Sequence, residues 1–203
     1  MIPRHLQFAI AILLTGVLGT GVYMLKLRQR EEVKSKTPLN TARPLAAPVA
    51  GPSEPVRLVV AYDEDGVFSR REISLPLPEE RSAKVKEVVH ALLSLYADRP
   101  SPHPIHENAD VRNVFLVEGG LCVVDLNAAF AEGHRSGILV EQFTLASMVQ
   151  TIAANFSGIK NVKFLVEGQE RETLAGHADL RAVYSVARAD EFVDDLQKQE
   201  SKP

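Results

Sequence analysis

Two histidines and one glutamate lie close together in the string His103-Pro104-Ile105-His106-Glu107. Such side chains can bind zinc or transfer protons. A zinc-protease helix, however, needs the order His-Glu-x-x-His, and the position that should hold the second histidine is Asp110. Pro102 and Pro104 also oppose the helix that would align two ligands. We therefore predict a solvated loop over residues 98–109 and no metal site.

Other acidic and histidine side chains fall near the ends of predicted elements. Asp125 ends a predicted strand, where it could act as an acid or base; we favour a carboxylate that caps the loop at Asn127 through local backbone hydrogen bonds. A second group could converge on a cation, or could simply suit a helix N-terminus: Glu132, His134, Glu141, His177 and Asp179. The sequence has no Gly-x-Ser-x-Gly elbow and no phosphate-binding Gly-Lys-Ser/Thr loop. We predict no catalytic residue, no cofactor and no metal ligand.

The composition argues against a nucleic-acid partner. A net charge of −3 offers no general attraction to nucleic acid. With no tryptophan and only 6% aromatic residues, the chain is also poorly supplied with stacking side chains. Its single cysteine, Cys122, lies in an apolar run that predicts a buried strand, where a thiol is inert.

An apolar run from Leu6 to Leu25 contains no charged residue. About 20 such residues are enough to cross a bilayer as a helix. A cleaved signal peptide is the alternative, but its apolar part would be shorter and would end at a small-x-small site. We predict an uncleaved membrane anchor within residues 1–30. The stronger basic flank follows the run and consists of Lys26, Arg28 and Arg30. By the positive-inside rule alone, this flank would keep the rest of the chain in the cytoplasm.

The remainder divides into a linker, a folded part and a tail. Residues 31–55 contain five prolines and predict an extended linker. Residues 56–187 carry strand and helix patterns in the order strand, helix, strand, strand, helix, strand. Residues 188–203 predict an acidic tail that is frayed or forms a solvent-facing helix.

Within the folded part, the helices at 79–97 and 138–156 each carry one apolar stripe. Glu118-Gly119-Gly120 predicts a hairpin turn between strands at 111–117 and 121–126. Two helices packed on one face of a small mixed β-sheet predict a two-layer α+β domain.

Four stretches occur in the order and spacing of one known family. The first is Val124-Asp125-Leu126-Asn127-x-x-Phe130, and the second runs from Gly137 and Glu141 to Val149-Gln150-Thr151-Ile152. The third is Val162-Lys163-Phe164-Leu165-Val166-Glu167-Gly168, and the fourth is Leu174-Ala175-Gly176-His177-Ala178-Asp179-Leu180. Together they resemble the GerMN domain of spore germination and sporulation proteins, over about residues 56–184. Asn127 in place of serine and the proline-rich segment 99–104 depart from the family pattern.

The resemblance implies a non-catalytic domain on the outer side of the cytoplasmic membrane, since relatives serve sporulation, germination and envelope assembly or signalling. We therefore expect a single-pass protein, inserted through residues 6–25, with an extracytoplasmic domain that binds an envelope or membrane protein complex. Gly16 and Gly19 supply small-residue spacing that leaves a homo-oligomer open. The alternatives are a module for cell-wall glycan or a small ligand, and an envelope hydrolase that uses Asp125 or His177.

The predicted contact surface is the loop over residues 98–110. A small open sheet leaves strand edges that favour association, and this loop is the least regular surface beside them. No core argument requires His103 or His106, so both are predicted partner-binding residues. Their replacement by alanine is expected to weaken partner binding and to leave folding almost unchanged.

Overall fold

The computed structural model describes residues 51–200, with side chains through Leu196. The predicted anchor and most of the predicted linker lie outside these residues. Within residues 51–200, no helix is both long and apolar enough to span a membrane. The described chain forms six strands and four helices: β1 (Ser53–Tyr62), β2 (Val67–Pro76), α1 (Arg81–Ala97), β3 (Val111–Val117), β4 (Leu121–Leu126), α2 (Ala128–Glu132), α3 (Ile138–Asn155), β5 (Asn161–Val166), β6 (Val183–Ser185) and α4 (Val186–Glu200).

The strands form two sheets, which corrects the prediction of one small sheet. Strands β1 and β2 make a separate antiparallel hairpin. The second sheet has the order β3-β4-β5-β6, in which β4 and β5 are parallel and the other pairs are antiparallel. The α+β class itself is confirmed.

The predicted hairpin between β3 and β4 is present, with Phe115 opposite Val123. Its turn holds Gly119 and Gly120 at φ values of 83° and 86°, a left-handed conformation that favours glycine. Gly120 is required for a second reason. A Cβ there would lie 2.5 Å from the carbonyl oxygen of Gly158.

Helix α1 follows the predicted stripe. Its N-cap is Glu80, whose carboxylate accepts hydrogen bonds from the backbone amides of Ser82 and Ala83. The apolar positions at helical spacing are all buried: Val85, Val88, Val89, Leu92, Leu93 and Tyr96.

Helix α3 departs from the predicted packing on one face. Every residue from Phe143 to Ile152 is buried, so the helix is enclosed on all sides along this stretch. It contacts β1, α1 and α4. Because a helix surrounded in this way is the centre of the domain, the predicted two-layer arrangement is replaced by one in which α3 lies between other elements.

The predicted acidic tail also packs with the domain. Helix α4 buries Val193 in the core, and the ring of Phe192 lies 6.1 Å from Phe143 and 6.3 Å from Phe68 between centroids. The acidic residues occupy the outer side of this amphipathic helix. At the other end, β1 begins at Ser53, inside the segment predicted as linker.

The backbone groups on the outer edge of β1 form hydrogen bonds with side chains instead of with another strand. The Arg57 amide donates to Oδ1 of Asn155 at 2.9 Å, and Nδ2 of Asn155 donates to the Arg57 carbonyl at 2.7 Å. The Val59 amide donates to Oγ1 of Thr151 at 2.9 Å, and the Ala61 amide donates to the Tyr96 hydroxyl at 2.8 Å. Four residues of helix rise about 6 Å and two residues of strand about 6.6 Å, so Thr151 and Asn155 match alternate amides of β1.

Candidate functional site

The structure places His103 in the core, which corrects the prediction that it is a solvated, partner-binding residue. Its side chain is fully buried. Nδ1 lies 2.5 Å from Oδ1 of Asp63, and Nε2 lies 2.6 Å from Oγ1 of Thr144. The loop turns inward because buried Ile105 anchors it and because the Asp63 amide donates to the Pro102 carbonyl at 3.0 Å.

His106, three residues later, is exposed. Its Nδ1 accepts a hydrogen bond from the Asn108 amide at 3.1 Å, and its ring packs on Gly133, where an added Cβ would lie 2.5 Å from the ring. A role for His106 in partner binding stays a prediction. The two histidines therefore do not form one surface.

His103 belongs to a buried chain of hydrogen bonds that includes a second histidine. Nε2 of His134 also lies 2.7 Å from Oγ1 of Thr144, and its Nδ1 lies 2.7 Å from the Arg135 carbonyl. Arg135 in turn contacts the second oxygen of Asp63. The chain joins the β1–β2 turn, the 98–110 loop, the segment before α3, and α3 itself.

The single hydroxyl proton of Thr144 limits how this chain of hydrogen bonds can be protonated. Asp63 and the Arg135 carbonyl are acceptors, so both Nδ1 atoms carry hydrogen. The Thr144 hydroxyl has one proton and also lies 3.0 Å from the Val140 carbonyl, so it donates to that carbonyl or to only one of the two Nε2 atoms. Burial lowers the pKa of His134 and outweighs the hydrogen bond to the Arg135 carbonyl, which raises it. The lowered pKa favours the neutral form of His134.

Asp63 remains ionised beside these donors. Burial raises the pKa of its carboxyl, but hydrogen bonds and charge from His103 and Arg135 outweigh burial and hold the pKa below the ordinary value. The order Asp63, His103, Thr144 is that of a hydrolase triad. Thr144 is fully buried, however, so no substrate carbonyl can reach its hydroxyl in this conformation. We assign the arrangement a structural role.

Glu141 forms a second buried centre near the start of α3. Its Oε2 accepts from the backbone amides of Ala175, His177 and Ala178 at 2.8–3.1 Å. Its Oε1 accepts from the Gly137 amide at 3.2 Å and lies 2.9 Å from Nδ1 of His177. Burial raises the pKa of Glu141, but these donors reverse that effect and lower it to about 2.

The predicted grouping around a cation is only partly present. Glu141 and His177 do meet, but backbone amides occupy the carboxylate. Asp179 bonds to Arg181 instead, and Glu132 is exposed. In the part of the chain that the structure describes, no group of three histidine, cysteine or acidic side chains could hold a metal ion.

Asp125 caps a distant turn, not the loop at Asn127 that the sequence predicted. Its Oδ1 accepts from the Gly168 amide at 2.7 Å, and Arg112 lies 3.3 Å from its Oδ2. Asn127 instead caps α2, accepting from the Phe130 amide at 3.0 Å. The two residues on which a hydrolase would depend, Asp125 and His177, are thus both held in structural contacts.

The outer face of the second sheet is the feature that sequence analysis missed. Phe115, Val123, Lys163 and Val183 stand in one row across its four strands. Phe115 and Val183, at the ends of the row, are 53% and 54% exposed. The alternation of these side chains with buried ones along β3 and β5 is the signal that could have identified the face.

We expect the two predicted contact histidines to differ in their effect on stability. His103→Ala should lower the free energy of unfolding by about 2–4 kcal/mol, because it opens a cavity in the core and removes one hydrogen-bond partner each from Asp63 and Thr144. His106→Ala should change it by no more than about 0.5 kcal/mol. Urea denaturation of the full chain measures both. Equal effects of the two changes would contradict the assigned role of His103.

Glu141 should make stability depend on acid pH. A lowered pKa in the folded state contributes stability that is complete above the ordinary value of 4.5 and is lost as the pH falls toward about 2. Glu141→Gln should therefore lower the free energy of unfolding by about 2–3 kcal/mol at pH 7, because glutamine has one acceptor oxygen where the carboxylate has two. Below pH 4.5 the loss should become progressively smaller. Denaturation at pH 7 and pH 3 tests this, with exposed Glu132→Gln as the matched control. A cost that is the same at both pH values would rule out the carboxylate as its source.

Comparisons with known proteins support the same family as the sequence motifs. The Germane family, described as "Sporulation and spore germination", matches residues 59–172. Comparison with curated proteins finds no match. Among solved structures, the tandem GerMN domains of the sporulation protein GerM from Bacillus subtilis align with a TM-score of 0.46 at 19% identity, over 63% of this chain and 44% of that one. The first GerMN domain of the same protein aligns with a TM-score of 0.40 at 19% identity, over 62% and 92% of the two chains.

The chain spans less than half the length of the tandem structure. The family match covers more than half of the 203 residues and includes β3 to β5. The chain therefore belongs to the Germane family of sporulation and spore germination, and its folded part is a GerMN domain.

Proposed function

We propose that the chain is a non-catalytic, membrane-anchored module that binds another protein of the bacterial envelope through the outer face of its four-stranded sheet. The observation that carries the proposal is the apolar character of this face, on which Phe115, Val117 and Val183 are about half exposed. Its apolar side chains come from all four strands: Phe115, Val117, Leu121, Val123, Leu165 and Val183.

The charges around this face support a protein partner with an apolar centre. Lys163, in the middle of the row, is held by Glu170 at 3.0 Å. Arg112 is held by Asp125 at 3.3 Å and by Glu167 at 3.1 Å. Because each cation already has a carboxylate beside it, the face has no excess charge that would attract a phosphate or an anionic lipid.

The size of the face favours a weak contact. Four strands about 4.8 Å apart, of which three have six or seven residues and β6 has three, cover at most roughly 15 by 20 Å. That is below the ~800 Å² per partner of a standard stable interface. Confinement of the domain to a membrane surface would raise its effective concentration, so a weak contact would suffice there.

A glycan partner has less support from this face. Sugar recognition generally uses flat aromatic rings, and Phe115 is the one aromatic side chain among the six apolar residues that form the face. An apolar protein surface, in contrast, can pack against all six. We therefore assign the face to a protein partner.

The proposal places the domain on the extracytoplasmic side, anchored through residues 6–25. The length of the apolar run supports the anchor. Membership in a sporulation and germination family supports the envelope setting. Trypsin added outside sealed spheroplasts should digest the domain, and complete protection from trypsin would contradict this orientation.

Cross-linking from the sheet face tests the proposed partner contact. A photoreactive benzoylphenylalanine at position 117 should give one adduct with a distinct envelope protein in native membranes. Phe115→Ser should lower the adduct yield at least fivefold, because it removes the largest exposed apolar side chain of the face. Leu139→Ser is the matched control, since Leu139 is 57% exposed on α3 and lies outside the sheet.

Thermal unfolding of both variants should stay close to that of the unchanged chain, because both sites are exposed. An equal loss of adduct in both variants would overturn the proposal. So would an adduct whose mass is twice that of the chain, which would identify a second copy as the occupant, or an adduct with glycan or lipid.

A further inference from the structure

A cleft on the opposite part of the domain has features of a small-ligand site. It lies between the β1–β2 hairpin, the C-terminal half of α3 and the start of α4, and its volume is about 420 Å³. That volume falls at the lower end of the range for small-molecule sites, about 300–1,000 Å³. Its lining combines apolar and charged side chains: Arg57, Val59, Arg70, Gln150, Ala153, Ala154, Val186 and Asp190.

Gln150 is the feature of this cleft that points to a ligand. The residue is only 6% exposed, and its Nε2 has no hydrogen-bond partner within the described residues. A buried amide without a partner destabilises a protein, because its hydrogen bonds to water are lost and not replaced. Thr144, Ser147 and Thr151 on the same helix are buried as well, but each bonds through its hydroxyl.

The charges of the cleft are divided between its two sides. Arg57 and Arg70 come from the hairpin, on neighbouring strands and the same face, because Arg70 is opposite Val59. Arg57 also pairs with Glu72 at 3.3 Å, but both side chains are largely exposed, at 48% and 74%, so this pair is weak. Asp190 lines the cleft from α4.

From this arrangement we infer that the cleft binds a small zwitterion, an amino acid or a short peptide with free termini. The two guanidinium groups fit a carboxylate, for which arginine offers paired N–H donors. Asp190 fits an ammonium group, and the Gln150 amide fits the peptide or carboxylate oxygen between them. A dianion such as phosphate would gain from the arginines but would be repelled by Asp190.

Binding can be tested on the full chain with L-alanyl-L-alanine and two blocked forms of it. In NMR titrations, the free dipeptide should shift the backbone amide signals of Val59, Ala153 and Val186. The C-terminal amide of the dipeptide should bind at least tenfold more weakly, because it removes the carboxylate. The N-acetylated dipeptide should also bind at least tenfold more weakly, because it removes the ammonium group.

Two neighbouring arginines provide a matched pair of variants. Arg70→Ala should weaken dipeptide binding at least tenfold. Arg71→Ala should leave binding unchanged, because Arg71 points to the other face of the hairpin, where its guanidinium lies 5.9 Å from the centre of the Tyr62 ring.

Gln150→Met separates a ligand role from a structural one. Methionine has nearly the shape of glutamine and no polar amide, so the variant should keep or raise the melting temperature while binding is lost. A lowered melting temperature with unchanged binding would overturn the inference. So would the absence of any shift with 10 mM dipeptide, equal binding of the N-acetylated form, or equal losses in Arg70→Ala and Arg71→Ala.

Discussion

The fold depends on one requirement, that the backbone amides along the buried edge of β1 have hydrogen-bond partners. No strand pairs with this edge among residues 51–200; side chains of α1 and α3 do so instead. The similar rise of four helical residues and two strand residues allows Thr151 and Asn155 to match alternate amides of the strand. This match fixes α3 against β1 and makes the helix the centre of the domain. It also explains why the strands separate into two sheets.

Once α3 is central, two of its buried polar side chains, Glu141 and Thr144, each hold a distant loop. Glu141 holds the 174–180 loop through backbone amides, and Thr144 holds the 98–110 loop through His103. A carboxylate or hydroxyl inside an apolar helix would be costly without such partners. The loops that link the elements are therefore tied to the core, and the side chains that suggested catalysis or metal binding are used to close the structure.

The surfaces left for interaction follow from the same arrangement. On the outer face of the second sheet, Phe115 and Val183 remain exposed at the two ends of one row of side chains. The hairpin, which α3 contacts at its edge, leaves the arginine-lined cleft between β1, β2 and α4. The outer face of the sheet is apolar, and its charged side chains are paired with each other. The cleft has arginines on one side, an aspartate on the other and a buried amide without a hydrogen-bond partner. Their chemistry suits a protein in the first case and a small zwitterion in the second.

The local elements and the family could be predicted from short stretches of sequence. The stripe of α1, the glycine turn of the β3–β4 hairpin and the GerMN motifs depend on residues a few positions apart, where periodicity and turn chemistry are informative. The buried position of His103 could not be predicted from nearby residues, because its partners Asp63 and Thr144 lie 40 and 41 residues away. The pairing of Asn155 with Arg57 spans 98 residues. Only tertiary structure decides which buried polar groups meet, since their local sequence is equally compatible with a solvated loop.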